Sequence, residues 1–281
     1  MQRYYCKNCH RKFADNDALP KMKTPVWIIS LALHCYYNGM SLEAIQVEIN
    51  QRHGAYYAQS SIYNWITRFS REAVRQVTSV IPKAGNIWFL CITPFKTGDR
   101  FLWFYDAFDV NSKFLLASHI SEDFTGERVL DFVISVCRTV LKPTSNPIKL
   151  LSDYSIVLNS IGKRNRPDFS NQIVFKKMNK SESVFFYKLL EKRNKVVHSF
   201  RSINNAQTLT DAWRVHYNYL MKNDKVGTAR FASQMIKTPF KNWADIIIGS
   251  KPHTAKLKTI KYYALSTKIE TNTHGEMLDN I

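Results

Sequence analysis

Between Trp88 and Asp109 the chain reads WFLCITPFKTGDRFLWFYDAFD, two runs rich in apolar and aromatic residues around a polar break at Lys96, Thr97, Gly98 and Asp99. Such a pattern predicts two strands and a tight turn. A third apolar run, Lys113 to Ile120, follows the turn residues Asn111 and Ser112. Three consecutive strands joined by short turns make an antiparallel meander. The period then changes, because Val129, Phe132, Val133, Val136 and Val140 recur three and four apart, the apolar face of a helix. The prolines at 143 and 147 close that helix, and Ile148-Lys149-Leu150-Leu151 predicts a short strand stopping at Ser152-Asp153. A helix leading into a new strand of one sheet implies a right-handed crossover.

The flanks read as helices. Thr24 is a candidate N-cap with Pro25 in the first turn, and Val26, Ile29 and Leu33 line one face until Asn38-Gly39. Ser41 caps a second helix that buries Leu42, Ile45 and Ile49 and ends at Gly54. A third begins near Ser60 and turns Ile62, Trp65, Ile66 and Phe69 inward, leaving Ser61, Asn64, Thr67, Arg68 and Arg71 on its outer face. Two short helices and a third with a polar, basic outer face form a helix-turn-helix, whose third helix is sized for the major groove. Apolar periodicity stops at residues 80–85, a natural boundary. Two later helices carry Phe186, Leu189, Leu190 and Val197, then Ala206, Leu209, Trp213 and Leu220, at core spacing. The end after Gly249 is lysine-rich and reads as a mobile tail.

Meander, crossover helix and a strand with a carboxylate at its carboxyl end describe an α/β chain with a ribonuclease-H-like, integrase-like core behind an all-α helix-turn-helix domain. Polar chemistry in such sheets sits where strands finish.

Composition narrows the partner. With 40 Lys and Arg against 22 Asp and Glu, the chain carries +18, and a polyanion is the natural counterpart. A basic passage after Asp153 includes Lys163, Arg164 and Arg166, read either as a solvated loop or as a phosphate-tracking surface. Hydrophobic residues make up 45% of the chain, enough for a packed core. No apolar run approaches the ~18 residues a membrane helix needs. The N-terminus shows no apolar signal segment, and five cysteines give no disulfide framework, so a reducing cytoplasm is expected. Cys6 and Cys9 form one CxxC, two of the four ligands a structural Zn²⁺ wants.

Taken together, these segments resemble the DDE transposases of bacterial and archaeal insertion sequences. RYYCKNCHRKF is similar to the second knuckle of that family's zinc ribbon, the residues from Pro25 to Trp65 to its helix-turn-helix, and Trp103 to Asp109 to its second catalytic-domain strand. Leu151-Ser152-Asp153 resembles the strand bearing the second catalytic acid, and Arg193-Asn194-Lys195-Val196 and Tyr217-Asn218 resemble the end of the domain. The resemblance implies a half zinc ribbon at 1–23, the helix-turn-helix at 24–80, the catalytic domain at 85–220 and an extension at 221–281. It also implies a multimer, expected as a homodimer, acting on double-stranded DNA at terminal inverted repeats, in a nucleoid-associated setting.

The family's chemistry uses three carboxylates around two Mg²⁺ or Mn²⁺ ions. Aligned on Thr93 and Lys96, the first acid falls on Cys91; aligned on Arg193, the third falls on Val184. Asp153 alone is retained. Glu182 is the nearest substitute, about 200° around a helix from the required position. Catalysis is therefore expected to be impaired, the alternative being a non-catalytic DNA-binding derivative. Arg193 and Lys195 join Ser61, Asn64, Thr67, Arg68 and Arg71 as expected DNA contacts.

Overall fold

The computed structural model describes residues 3–5, 7–10, 12–14, 19, 22–82, 84–97, 100–140, 148–152, 173–197, 202–221 and 240–250. The turn at Gly98-Asp99, the prolines at 143 and 147, the passage from Asp153 to Arg166 and the tail after 250 lie outside them.

A five-stranded sheet organises the chain. Its strands are β3 (Ile87–Thr97), β4 (Arg100–Asp109), β5 (Leu115–Ser121), β6 (Ile148–Ser152) and β7 (Ile173–Lys177), ordered β5-β4-β3-β6-β7. β3, β4 and β5 form the expected antiparallel meander, in which Trp88 faces Asp109 and Thr97 faces Arg100. β6 runs parallel to β3, and β7 parallel to β6. Three antiparallel strands followed by parallel ones on the far side of the first is the ribonuclease-H-like order. Pro94 is tolerated in β3 because the β6 pairing involves only Ile87 to Phe89, so the proline breaks no ladder on that side.

Residue parity assigns the two faces of the sheet. Tyr105 and His119 lie on one face under Phe132 of α4 (Gly126–Val140). Phe89, Phe104 and Phe108 lie on the other under α5 (Lys180–Val197), whose Phe186 ring meets Phe89 and Phe108 at 4.8 and 5.0 Å. Helix layers therefore cover both faces, and the core runs through the sheet.

The edge at β5 is closed by side chains rather than by a sixth strand. α6 (Ile203–Val215) continues into a π-helical turn, His216–Leu220, that lies along it. Asn218 accepts from the Leu115 amide at 3.0 Å and donates to the Leu115 carbonyl at 2.8 Å. Gln207 treats Ile120 and Ser118 likewise, Arg214 donates to the Leu116 carbonyl and Tyr217 to that of Lys113. Unpaired edge groups invite pairing with another chain, and here the Leu115 and Ile120 amides and the Leu115, Leu116 and Ser118 carbonyls are answered by side chains.

The helical module comprises α1 (Val26–Tyr37), α2 (Leu42–His53) and α3 (Gln59–Val77). Two boundaries differ from expectation. Pro25, not Thr24, is the N-cap of α1 and makes no side-chain cap bond, and α3 starts one residue before Ser60. Ser41 caps α2 by accepting from the Ala44 amide, and Gly54 ends α2 at φ 60°, as expected. α3 packs along α6 and on the short helix α7 (Trp243–Ile248), where Gln76 donates to the Ile246 carbonyl at 3.0 Å. Helical module and sheet thus belong to one compact unit.

Candidate functional site

The resemblance to DDE transposases puts the family's first carboxylate in the middle of β3, at Cys91. Here Cys91 faces Asp106 on β4, and Asp106 faces Ser118 on β5, one row across three strands on the face beneath α5. Arg193 descends from α5 onto this row. Its Nη1 meets the Asp106 carboxylate at 2.5 Å, and both side chains are fully buried. The Ser118 hydroxyl also donates to Asp106. The guanidinium lies over the Phe104 ring at 3.9 Å, and its Nη2 donates to Asn194 Oδ1 at 3.2 Å. Both charges are desolvated, so each depends on the other.

Arg193 was expected at a DNA surface, and the structure corrects this. On α5 it shares the inward face with Phe186, Leu190 and Val196, and its charge is spent on Asp106. Cys91 is likewise fully buried. Val184 lies nine residues before Arg193, half a turn out of phase on a helix of 3.6 residues per turn, and its side is 45% exposed. Glu182 is exposed in the first turn of α5. Asp109 is structural, accepting from the Ser112 amide at the β4–β5 turn.

A divalent ion pair needs several oxygen donors converging at about 2.0–2.2 Å from each ion. A buried thiol, a carboxylate saturated by Arg193 and Ser118, an exposed valine and an outward glutamate do not provide them. Among the described residues no three His, Cys, Asp or Glu side chains gather as a metal site would require. Asp153 follows β6 directly and lies outside the described residues. At the N-terminus, β1 (Arg3–Tyr5) and β2 (Lys12–Ala14) pair as a hairpin. Cys9 is exposed between them, His10 Nδ1 is 3.0 Å from the Tyr5 hydroxyl, and Cys6 lies outside the described residues.

On α3, Asn64 and Arg71 are exposed, while Ser61, Thr67 and Arg68 are half-buried. Thr67 donates to the Tyr63 carbonyl of its own helix, and Arg68 folds back toward Met22 Sδ and the Phe69 ring. Ser60 is exposed and in phase with Asn64, a position the sequence reading missed by one. Lys195 is exposed at the end of α5, its Cβ 3.9 Å from where a Cβ on Gly39 would stand. Lys188 and Lys192 are exposed on the same helix, four and three residues along the same stripe as Lys195. Helical spacing alone could have found them. Lys163, Arg164 and Arg166 lie outside the described residues.

His216 is packed in the core. Its ring stacks with Tyr37 and Trp243, burial pushes its pKa down to about 3, and the nearby His34 adds to the shift. Beside it a cleft of about 410 Å³ is lined by Trp27, His34, Lys241 and Trp243, among others. No helix among the described residues is long and apolar enough to cross a membrane.

No family model matches the chain, and no curated protein matches it. Among solved structures, it is similar to the HTLV-2 integrase catalytic core domain in complex with magnesium, in its trimeric form. Identity is 16% over 55% of this chain and 98% of that one, with a TM-score of 0.39. It is also similar to the simian T-cell lymphotropic virus intasome in complex with the PP2A regulatory subunit B56 gamma, at 13% identity over 76% and 77% of the two chains and a TM-score of 0.40. The fold is integrase-like. That assignment rests on the strand order and pairing of the sheet itself.

Proposed function

We propose that the chain is a DNA-binding protein of insertion-sequence transposase descent that has given up strand cleavage and joining. One observation carries this reading: the row where the first catalytic acid is needed holds Cys91 beside an Asp106–Arg193 pair closed to solvent on every side. A carboxylate committed to a buried guanidinium cannot also hold a divalent ion without leaving a bare charge behind. The residues that would serve Mg²⁺ or Mn²⁺ are thus reduced to Asp153, with Glu182 exposed in the first turn of α5. For Zn²⁺ the chain offers Cys6 and Cys9, half a tetrahedral set.

Binding is supported by the net charge of +18 and by two surfaces of suitable chemistry. The exposed side of α3 presents Asn64 and Arg71. The lysines at 188, 192 and 195 follow one stripe of α5 toward the α1–α2 turn. Lysines so spaced track phosphates without reading bases. The partner in this reading is double-stranded DNA carrying terminal inverted repeats, met by a homodimer in a cytoplasmic, nucleoid-associated setting. The basic passage that includes Lys163, Arg164 and Arg166 adds to the positive charge.

Purified protein and a duplex bearing the element's ends test the reading. Binding should weaken steeply between 50 and 200 mM salt, by roughly 10³-fold or more if six or more phosphates are contacted. No nick should appear with Mg²⁺ or Mn²⁺. Metal-dependent nicking that disappears in Asp153→Ala would overturn the loss of catalysis and restore an active transposase.

A further inference from the structure

The turn between α2 and α3 holds one aromatic ring out in solvent. Gly54 closes α2 in the left-handed region, and Gln46 on α2 donates to the Tyr57 carbonyl at 2.6 Å. The Tyr57 ring packs edge-on against Trp65 of α3, with centroids 5.0 Å apart. The backbone around Tyr56 is therefore pinned, yet Tyr56 is 73% exposed. It stands just ahead of the first turn of α3, where Gln59 and Ser60 are exposed as well.

From there Ser60, Asn64, Thr67 and Arg71 recur four, three and four residues apart, one stripe of the helix. Thr67 spends its hydroxyl proton on its own helix, and the neighbouring Arg68 is drawn inward. The Asn64 amide has no hydrogen-bond partner among the described residues. A carboxamide offers a donor beside an acceptor, the complement of adenine N7 and the N6 amino group in the major groove. Arg71 sits two turns further on, ~10 Å along the axis, within reach of the backbone that flanks the groove. Tyr56 brackets Asn64 from the opposite end with a phenolic donor. Contacts of that kind fix register, and the amide between them reads sequence.

Resting on the DNA-binding reading above, we infer that Asn64 is a specificity-determining residue that recognises an adenine in the major groove, with Tyr56 and Arg71 setting register on flanking phosphates. The preferred duplex accordingly carries a fixed adenine in each half-site. Ser60 at the head of the stripe adds a contact without base preference.

Selection from a pool of randomised duplexes, with the full chain and two variants, tests this. Wild type should enrich a motif with an invariant adenine. Asn64→Ala should lose information at that position alone, with roughly 5- to 150-fold weaker binding to the wild-type motif. Tyr56→Phe should weaken binding to all sequences alike and leave the motif unchanged. Both residues are exposed, so unchanged thermal melting of each variant is the folding control. An Asn64→Ala motif identical to that of wild type overturns the adenine readout while DNA binding stands. So does wild-type binding that enriches no motif. A wild-type chain that retains no duplex at all removes both the readout and the reading beneath it.

Discussion

Asp106 and Arg193 lie 87 residues apart in sequence and meet only because β4 and α5 face each other across the core. Removing one partner leaves the other buried and uncompensated, a loss of about 3–5 kcal/mol in such pairs. Arg193→Met should therefore lower the urea midpoint strongly, and Asp106→Leu combined with Arg193→Met should recover most of it. If the single variant unfolds at the wild-type midpoint, the pair is not closed as described. The expected departures from the family pattern at Cys91 and Val184 rest on spacing to Lys96 and Arg193, which is local information. The role of Arg193 could not, because a basic residue in a motif looks the same whether it meets phosphate or a buried carboxylate. Its phase with Phe186 and Leu190 on α5 was the available sign.

The meander and the three early helices were legible because their periods of two and of three to four residues are strong and their turn residues frank. Ser41, Gly54 and Asn111-Ser112 each stand where the chain turns. The strand β7 was not legible, being five residues with polar neighbours in a basic passage. The closure of the β5 edge was also hidden. Tyr217-Asn218 resemble the end of the family's catalytic domain, but nothing local says that an asparagine will answer both backbone groups of Leu115. Asn218→Ala should leave those two groups unsatisfied in a buried setting, costing about 1–3 kcal/mol each. Amide exchange at Leu115 should accelerate well beyond that at Ala107 on the inner strand. Equal protection at the two sites would mean another group closes the edge.

For the molecule as a whole, charge and hydropathy pointed to a polyanion-binding globular chain, and the strand order gave the integrase-like sheet. What pattern alone could not supply was how the helical module meets that sheet. On α3, Asn64 and Arg71 are exposed, whereas Thr67 donates to its own helix and Arg68 folds back toward Met22, so part of the expected DNA-contacting stripe is committed to packing. On the reading proposed above, the buried Asp106–Arg193 pair belongs to a scaffold that would grip nucleic acid without holding the ions to cut it. Manganese titration followed by electron paramagnetic resonance, with the full chain and Asp153→Ala, tests this most directly. The expected result is weak, unsaturated Mn²⁺ binding, identical in the two proteins. Saturable uptake of two ions per chain, lost in Asp153→Ala, would contradict it.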